Sequence, residues 1–139
     1  MKLNPNCIKD LLEVFESDVQ RANITYSYPN WEELQENASL KKYSLNEISY
    51  HCQQLYLSEL FYYGEIHSGG GISFVDIMPE AHALLANLRI PKTFKLLQKF
   101  IDIAGGASIK QMADIATTAT MNLLPGLLEL AKDNLYKSP

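Results

Sequence analysis

The sequence is short of arginine. Arg21 and Arg89 are the only two, and its 12 basic residues stand against 16 acidic ones, for a formal net charge of −4. Nucleic-acid binding draws most of its strength from phosphates neutralised by Lys and Arg, so this balance leaves only a local basic patch for that role. Cysteine is scarce too. Cys7 and Cys52 lie in unrelated apolar segments without CxxC spacing, which excludes a disulfide framework and predicts two reduced core thiols. The histidines are limited to His51, His67 and His82. None falls in a paired spacing such as HExxH, so neither a metal site nor a cofactor is expected. There is no apolar run of about 18 residues that would span a membrane. Met1 to Asp10 lacks the apolar stretch of a signal peptide, and a cytoplasmic location is expected.

What is present describes a globular chain. It has 139 residues, 47% hydrophobic and 20% charged, enough to bury a core without metals or disulfides. Asn4-Pro5 opens a first helix as N-cap and first helical residue. Ile8, Leu11, Leu12 and Phe15 then recur at helical spacing, and the helix is expected to fade near Asp18. Ile24 to Tyr28 alternates like a short strand, Pro29-Asn30 is a turn, and Trp31 to Asn37 reads as a short acidic helix.

The strongest local signal is Ser44 followed by Glu47, a capping box in which hydroxyl and carboxylate satisfy each other's backbone N–H. Leu45, Ile48, Cys52, Leu55 and Leu60 trace an apolar stripe behind it, predicting a helix that ends around Phe61 to Gly64. The period then changes. Ile66-His67 and Ile72 to Ile77 flank Ser68-Gly69-Gly70-Gly71, which predicts a β-hairpin with a flexible tip. A phosphate-binding loop is excluded there, because Ile72 and a strand follow the glycines where Lys and a helix are needed. Pro79 opens a helix with Leu84, Leu85 and Leu88 as its core face, and Pro91 opens another with Phe94, Leu97 and Ile101. Gly105-Gly106 stops the second. Ser108 caps a helix to about Leu124 carrying Ile109, Met112, Ala116 and Leu123, and Pro125-Gly126 precedes a short last helix through Leu127, Leu128 and Leu130.

Helix, strand, capped helix and hairpin in that order predict a mainly α chain with a small β-hairpin, laid out as a winged helix-turn-helix-like domain with C-terminal helices. The expected division is a winged-helix-like domain over 1–90 and a helical extension over 91–139, packed on it or on a second subunit. Met1 to Pro5 with its helix, and Tyr43 to His51, resemble domain-of-unknown-function family twenty-five thirteen, small proteins of bacterial genomes, phages and prophages. Ile77 to Arg89 is similar to that family's Thr-x-x-Gly-His-x-Phe-Leu-x-x-Ile-Arg stretch, with Ala81 in the usual glycine position, and 105–108 is similar as well. Glu59-Leu60 stands where Ala-Gly is commoner. The resemblance implies a winged-helix-like fold in a bacterial or mobile-element setting and no assigned activity.

Glu13, Glu16, Glu32 and Glu33 fall on polar helix faces and read as solvated charge rather than as the differently desolvated pair that acid–base catalysis needs. No catalytic residue is expected, and the chain reads as a non-enzyme. On the capped helix Asn46, Ser49, Tyr50, Gln53 and Gln54 fall largely off the apolar stripe. Asn and Gln can pair with adenine, Ser and Tyr can reach phosphates, and Lys41 and Lys42 precede the helix as backbone anchors. This predicts a transcriptional regulator that contacts double-stranded DNA. The alternative is a protein-interaction adaptor on the same scaffold, binding a host protein or a toxin-like partner. Tyr26, Tyr28, Trp31, Tyr43, Tyr50, Tyr56, Tyr62 and Tyr63 supply the aromatic content that interface cores favour. The small residues Ala113, Ala116, Thr117, Thr118, Ala119 and Thr120 would let the C-terminal helices pack closely, within one chain or in a homodimer.

Overall fold

The computed structural model describes residues 1–21 and 25–122, the Arg21 side chain excepted. The first helix, α1, spans Pro5–Arg21, one turn beyond Asp18. The Asn4 side chain accepts from the Asn6 amide at 2.9 Å, the expected N-cap. Cys7, Ile8, Leu11, Leu12 and Phe15 are fully buried, and Asp18 is buried as well. The helix extends past Asp18 because that carboxylate is satisfied inside the protein, where it accepts from the Tyr28 hydroxyl at 2.6 Å.

Strand β1 is Tyr26–Tyr28. Asn30 then caps α2, Trp31–Gln35, by accepting from the Glu33 amide, so the acidic helix is two residues shorter than its composition suggests. A single 3-10 turn, Ala38–Leu40, drops Leu40 into the core. The capped helix is α3, Leu45–Leu57. It stops well before Phe61. The Leu60 amide donates to the Leu55 carbonyl and the Glu59 amide to that of Tyr56, while Glu59 takes φ 59°. This is the Schellman termination, with a glutamate in the left-handed position that glycine usually fills. Leu60 is therefore buried from outside the helix and not on its stripe.

The ribbon that follows is longer than expected. Strands β2 (Phe61–Tyr62) and β5 (Asp76–Ile77) pair, as do β3 (Glu65–Ile66) and β4 (Ile72–Phe74), in one continuous antiparallel register. His67 belongs to the turn and not to a strand. β1 adds to the other edge of β4, so β4 lies between β1 and β3.

Two proline-headed helices come next, α4 (Pro79–Leu88) and α5 (Pro91–Ala104). Gly105 ends α5 in the left-handed conformation, φ 79°. The α5 core face is Thr93, Leu97 and Ile101, with Phe94 only half-buried. A further helix, α6, is described over 109–122, headed by a second capping box between Ser108 and Gln111. Leu123 and the expected final helix lie outside the described residues.

The architecture is mainly helical with a small antiparallel sheet. Leu97, Ile101, Ile109, Met112 and Ala116 belong to the same buried cluster as the α1 residues, and α5 packs on α4. Both cysteines are free and buried. Burial pushes the Cys7 thiol up to about 12 and that of Cys52 well above its ordinary value, so neither is a nucleophile at neutral pH. Among the described residues no helix is long and apolar enough to cross a membrane.

Candidate functional site

Burial decides which face of α3 is available. Ile48, His51, Cys52 and Leu55 face the core. Asn46, Ser49, Tyr50 and Gln53 follow one another at helical spacing on the opposite side, Asn46 and Gln53 exposed and Ser49 and Tyr50 half-buried. Gln54 lies at the edge of this stripe, half-buried. The Gln53 amide donates to the Ser49 hydroxyl at 2.9 Å. Leu57 continues the stripe at its C-terminal end and is 70% exposed.

His51 fixes how α3 is presented. Its Nε2 accepts from the Asn4 amide at 2.8 Å, so the proton is on Nδ1, 2.6 Å from the Glu47 carbonyl oxygen that accepts it. The imidazole thereby ties the start of α1 to the first turn of α3. Burial holds it neutral, with its pKa below the usual histidine value, against the weaker upward pull of Glu47.

The two lysines before α3 differ. Lys41 is exposed. Lys42 pairs with Asp10 at 3.1 Å and lies over the Tyr43 ring, while the Tyr43 hydroxyl donates to the same carboxylate oxygen at 2.7 Å. Asp10 thus competes with any phosphate for Lys42. Lys41, Lys42, Asn46, Ser49, Tyr50 and Gln53 occupy the loop and leading turns of one element, and all are neutral or cationic. The acidic Glu59 and Glu65 stand exposed after the helix and on β3.

The glycine-rich turn, expected to be flexible, is packed. Gly70 lies against Trp31, and a Cβ on Gly71 would fall on the Tyr28 carbonyl oxygen. The turn closes on itself through the His67 amide to Gly71 and the Gly70 amide to His67. Behind it His67 Nε2 is 2.8 Å from the Ser73 hydroxyl, which donates to Ser27. Cross-strand contacts therefore hold the ribbon onto β1.

Glu13 and Glu16, read from the sequence as solvated charge, lie at the partly exposed centre of an ion-pair clasp. Arg89 makes a fork onto both oxygens of Glu13 at 2.8 Å and reaches Glu16 at 2.9 Å. His82 joins Glu16 at 2.8 Å and Asp76 at 3.3 Å. The clasp connects α1, β5 and α4. The Arg89 hydrogen bond draws Glu13 below its ordinary pKa. Glu16 is also drawn down, its burial outweighed by His82 and Arg89. For His82, burial acts downward but Glu16 and Asp76 prevail, and its pKa is raised. Arg89 seven residues after His82 was the available signal, since that spacing repeats one face of α4.

The two histidines predict opposite pH responses. The His82 contribution is complete below about pH 6.5, where the unfolded chain is also protonated, and is lost as pH rises through the raised folded value. The His51 contribution is complete above about pH 6.5 and is lost as pH falls through the depressed folded value. Urea midpoints for the His82→Gln protein should therefore lose the alkaline decline while keeping the acid one. A parent and variant that decline together between about pH 6 and about pH 8 would show that the clasp does not titrate with folding.

Among the described residues no group of three or more His, Cys, Asp or Glu could hold a metal ion. Of the aromatic residues expected at an interface, Tyr28 and Tyr43 are buried and Tyr26, Trp31 and Tyr50 pack against the core. Tyr56, Tyr62 and Tyr63 remain exposed. No protein-family model, curated protein or solved structure matches this chain.

Proposed function

We propose that the chain is a non-enzymatic winged helix-turn-helix protein that reads double-stranded DNA with α3. The observation that carries this reading is the arrangement of elements. A helix, a strand, two helices and a ribbon follow in order, with β4 between β1 and β3, which is how a winged helix presents its second helix beside the wing. The stripe of Asn46, Ser49, Tyr50 and Gln53, exposed at Asn46 and Gln53 and half-buried between them, offers donors and acceptors suited to base edges, and Lys41 and Lys42 before the helix are the candidate backbone anchors.

The test is fluorescence anisotropy with a labelled random duplex at low and moderate salt. Binding at low salt is expected, falling steeply as salt rises. Lys41→Ala with Lys42→Ala should lower the salt slope by about 1–2, roughly one for Lys41 and less for Lys42, which Asp10 already pairs. Against a selected site, Asn46→Ala or Gln53→Ala should cost about 1–3 kcal/mol each. Absence of binding at low salt ends the DNA reading.

A second reading, a protein-interaction adaptor on the same scaffold, is favoured by one feature. Tyr56 and Leu57 border a surface depression with Glu59 and Phe61, and Tyr62 and Tyr63 stack edge to face beyond it. Apolar and aromatic area at the end of α3, with acidic neighbours, suits a protein partner better than phosphate.

A further inference from the structure

Helix α5 is basic in a chain that is acidic overall. Lys92, Lys95 and Lys99 are exposed, and none forms an ion pair among the described residues. Asp102 is the only acid of that helix. Alongside the lysines runs an apolar row, Leu96, Phe100 and Ile103, exposed by 50%, 46% and 88%. The spacings of four and three put these residues on one stripe, a little around the helix from the lysines. Leu96 also forms one wall of a groove against α6, where Ile115 and Ala119 supply apolar surface, Thr118 and Asn122 line the side and Asp114 is the one acid.

We propose that this groove docks an acidic amphipathic helix from a partner protein. Three large apolar side chains left exposed by the described residues cost free energy that a covering surface recovers, at roughly 25 cal/mol per Å² covered. A helix laid along α5 would meet the row with its own apolar residues at helical spacing. Carboxylates flanking those residues would then face Lys92, Lys95 and Lys99. Charge separates this occupant from a second copy of the chain. Pairing α5 with itself would bring three lysines against three, with one Asp102 on each side to relieve them, whereas an acidic partner satisfies all three. The recess at Ile115 and Ala119 favours a ridged helix over a flat lipid surface. The proposal is independent of DNA binding by α3, because it uses other helices.

The experiment is fluorescence anisotropy of the full chain with a labelled synthetic peptide of about five helical turns, carrying leucines at helical spacing flanked by glutamates. A matched peptide with lysines in place of the glutamates is the control. The acidic peptide should bind and the basic one should not. Binding should weaken about tenfold or more in the Lys92→Glu, Lys95→Glu, Lys99→Glu protein, and likewise in Ile103→Asp. No binding of the acidic peptide, equal binding of both peptides, or binding indifferent to these substitutions overturns the proposal. So does light scattering that shows a dimer abolished by Ile103→Asp, or preferential co-sedimentation of the chain with phosphatidylserine vesicles. Thermal melts complete the test. Ile103→Asp should leave the midpoint unchanged, and a large drop would mean that the chain itself covers the row, which also overturns the proposal.

Discussion

Replacing Phe15 by alanine is expected to remove about 3–5 kcal/mol of stability, the usual cost of deleting a buried aromatic ring. Phe15 is fully buried at the middle of α1. Its ring meets Phe61 edge-on at 5.4 Å and Phe74 at 5.1 Å, and those two rings lie 5.5 Å from each other. One side chain therefore joins the first helix to both strands of the ribbon. The loss would be a large fraction of the roughly 5–15 kcal/mol typical of a domain, so a fall in Tm of about 10–20 °C is expected. Phe15→Leu keeps most of the volume and should lose far less. Urea denaturation of both proteins checks this, and an alanine variant within about 1 kcal/mol of the parent would mean that the ribbon does not depend on α1.

Gly71→Ala should have the second-largest effect. Gly71 has φ +89°, and an added Cβ would fall on the Tyr28 carbonyl oxygen, 2.6 Å from the Pro29 carbonyl carbon and 2.8 Å from the Asn30 nitrogen. All three are backbone atoms, so no side-chain rotation relieves the contact. The left-handed conformation alone costs a residue with a Cβ about 1–2 kcal/mol. With the clash added, a loss of at least about 2 kcal/mol is expected. Gly69 is the matched control, since a Cβ there meets nothing within 4 Å, and Gly69→Ala should be close to neutral. Hydrogen exchange at the β1 and β4 amides reads the same event locally. Faster exchange in Gly71→Ala with α4 unaffected is the expected pattern, and unchanged exchange would sink the claim that the turn is held by the β1–α2 corner.

The consequence for α3 is shared by both substitutions. Its polar stripe is only as well placed as the elements that set its angle. These are His51 on the α1 side, Tyr43 and Asp10 at its leading loop, and the buried Leu60 beyond its end. A regulator would need that angle to be fixed, because base contacts tolerate little misplacement.

Much of the architecture was legible in the residue pattern because the signals were local. Ser44 and Glu47 face each other across three residues, and the hydrogen bonds they predict are present at 3.1 Å in both directions. Pro79, Pro91 and Gly105 mark helix ends for reasons of backbone geometry that no tertiary contact alters. The polar stripe of α3 was legible in the same way, since helical periodicity separates Asn46 and Gln53 from Ile48 and Leu55. The end of α3 was not. Glu59 carries no mark of a left-handed residue, and the chain turns there because burying Leu60 offsets the strain.

Local chemistry, then, determined where helices begin, which residues of each are apolar, and that a glycine turn joins two strands. Only the tertiary structure decided that Glu13 and Glu16 answer Arg89 and His82 from more than sixty residues away, that Asp10 holds Lys42, and that the glycine turn rests on Tyr28. Among the described residues it also left Leu96, Phe100 and Ile103 exposed. The physical reason is range. Capping and periodicity act within one or two turns of chain, whereas the partner of a charge, or the cover of an apolar row, depends on which surfaces the fold brings together.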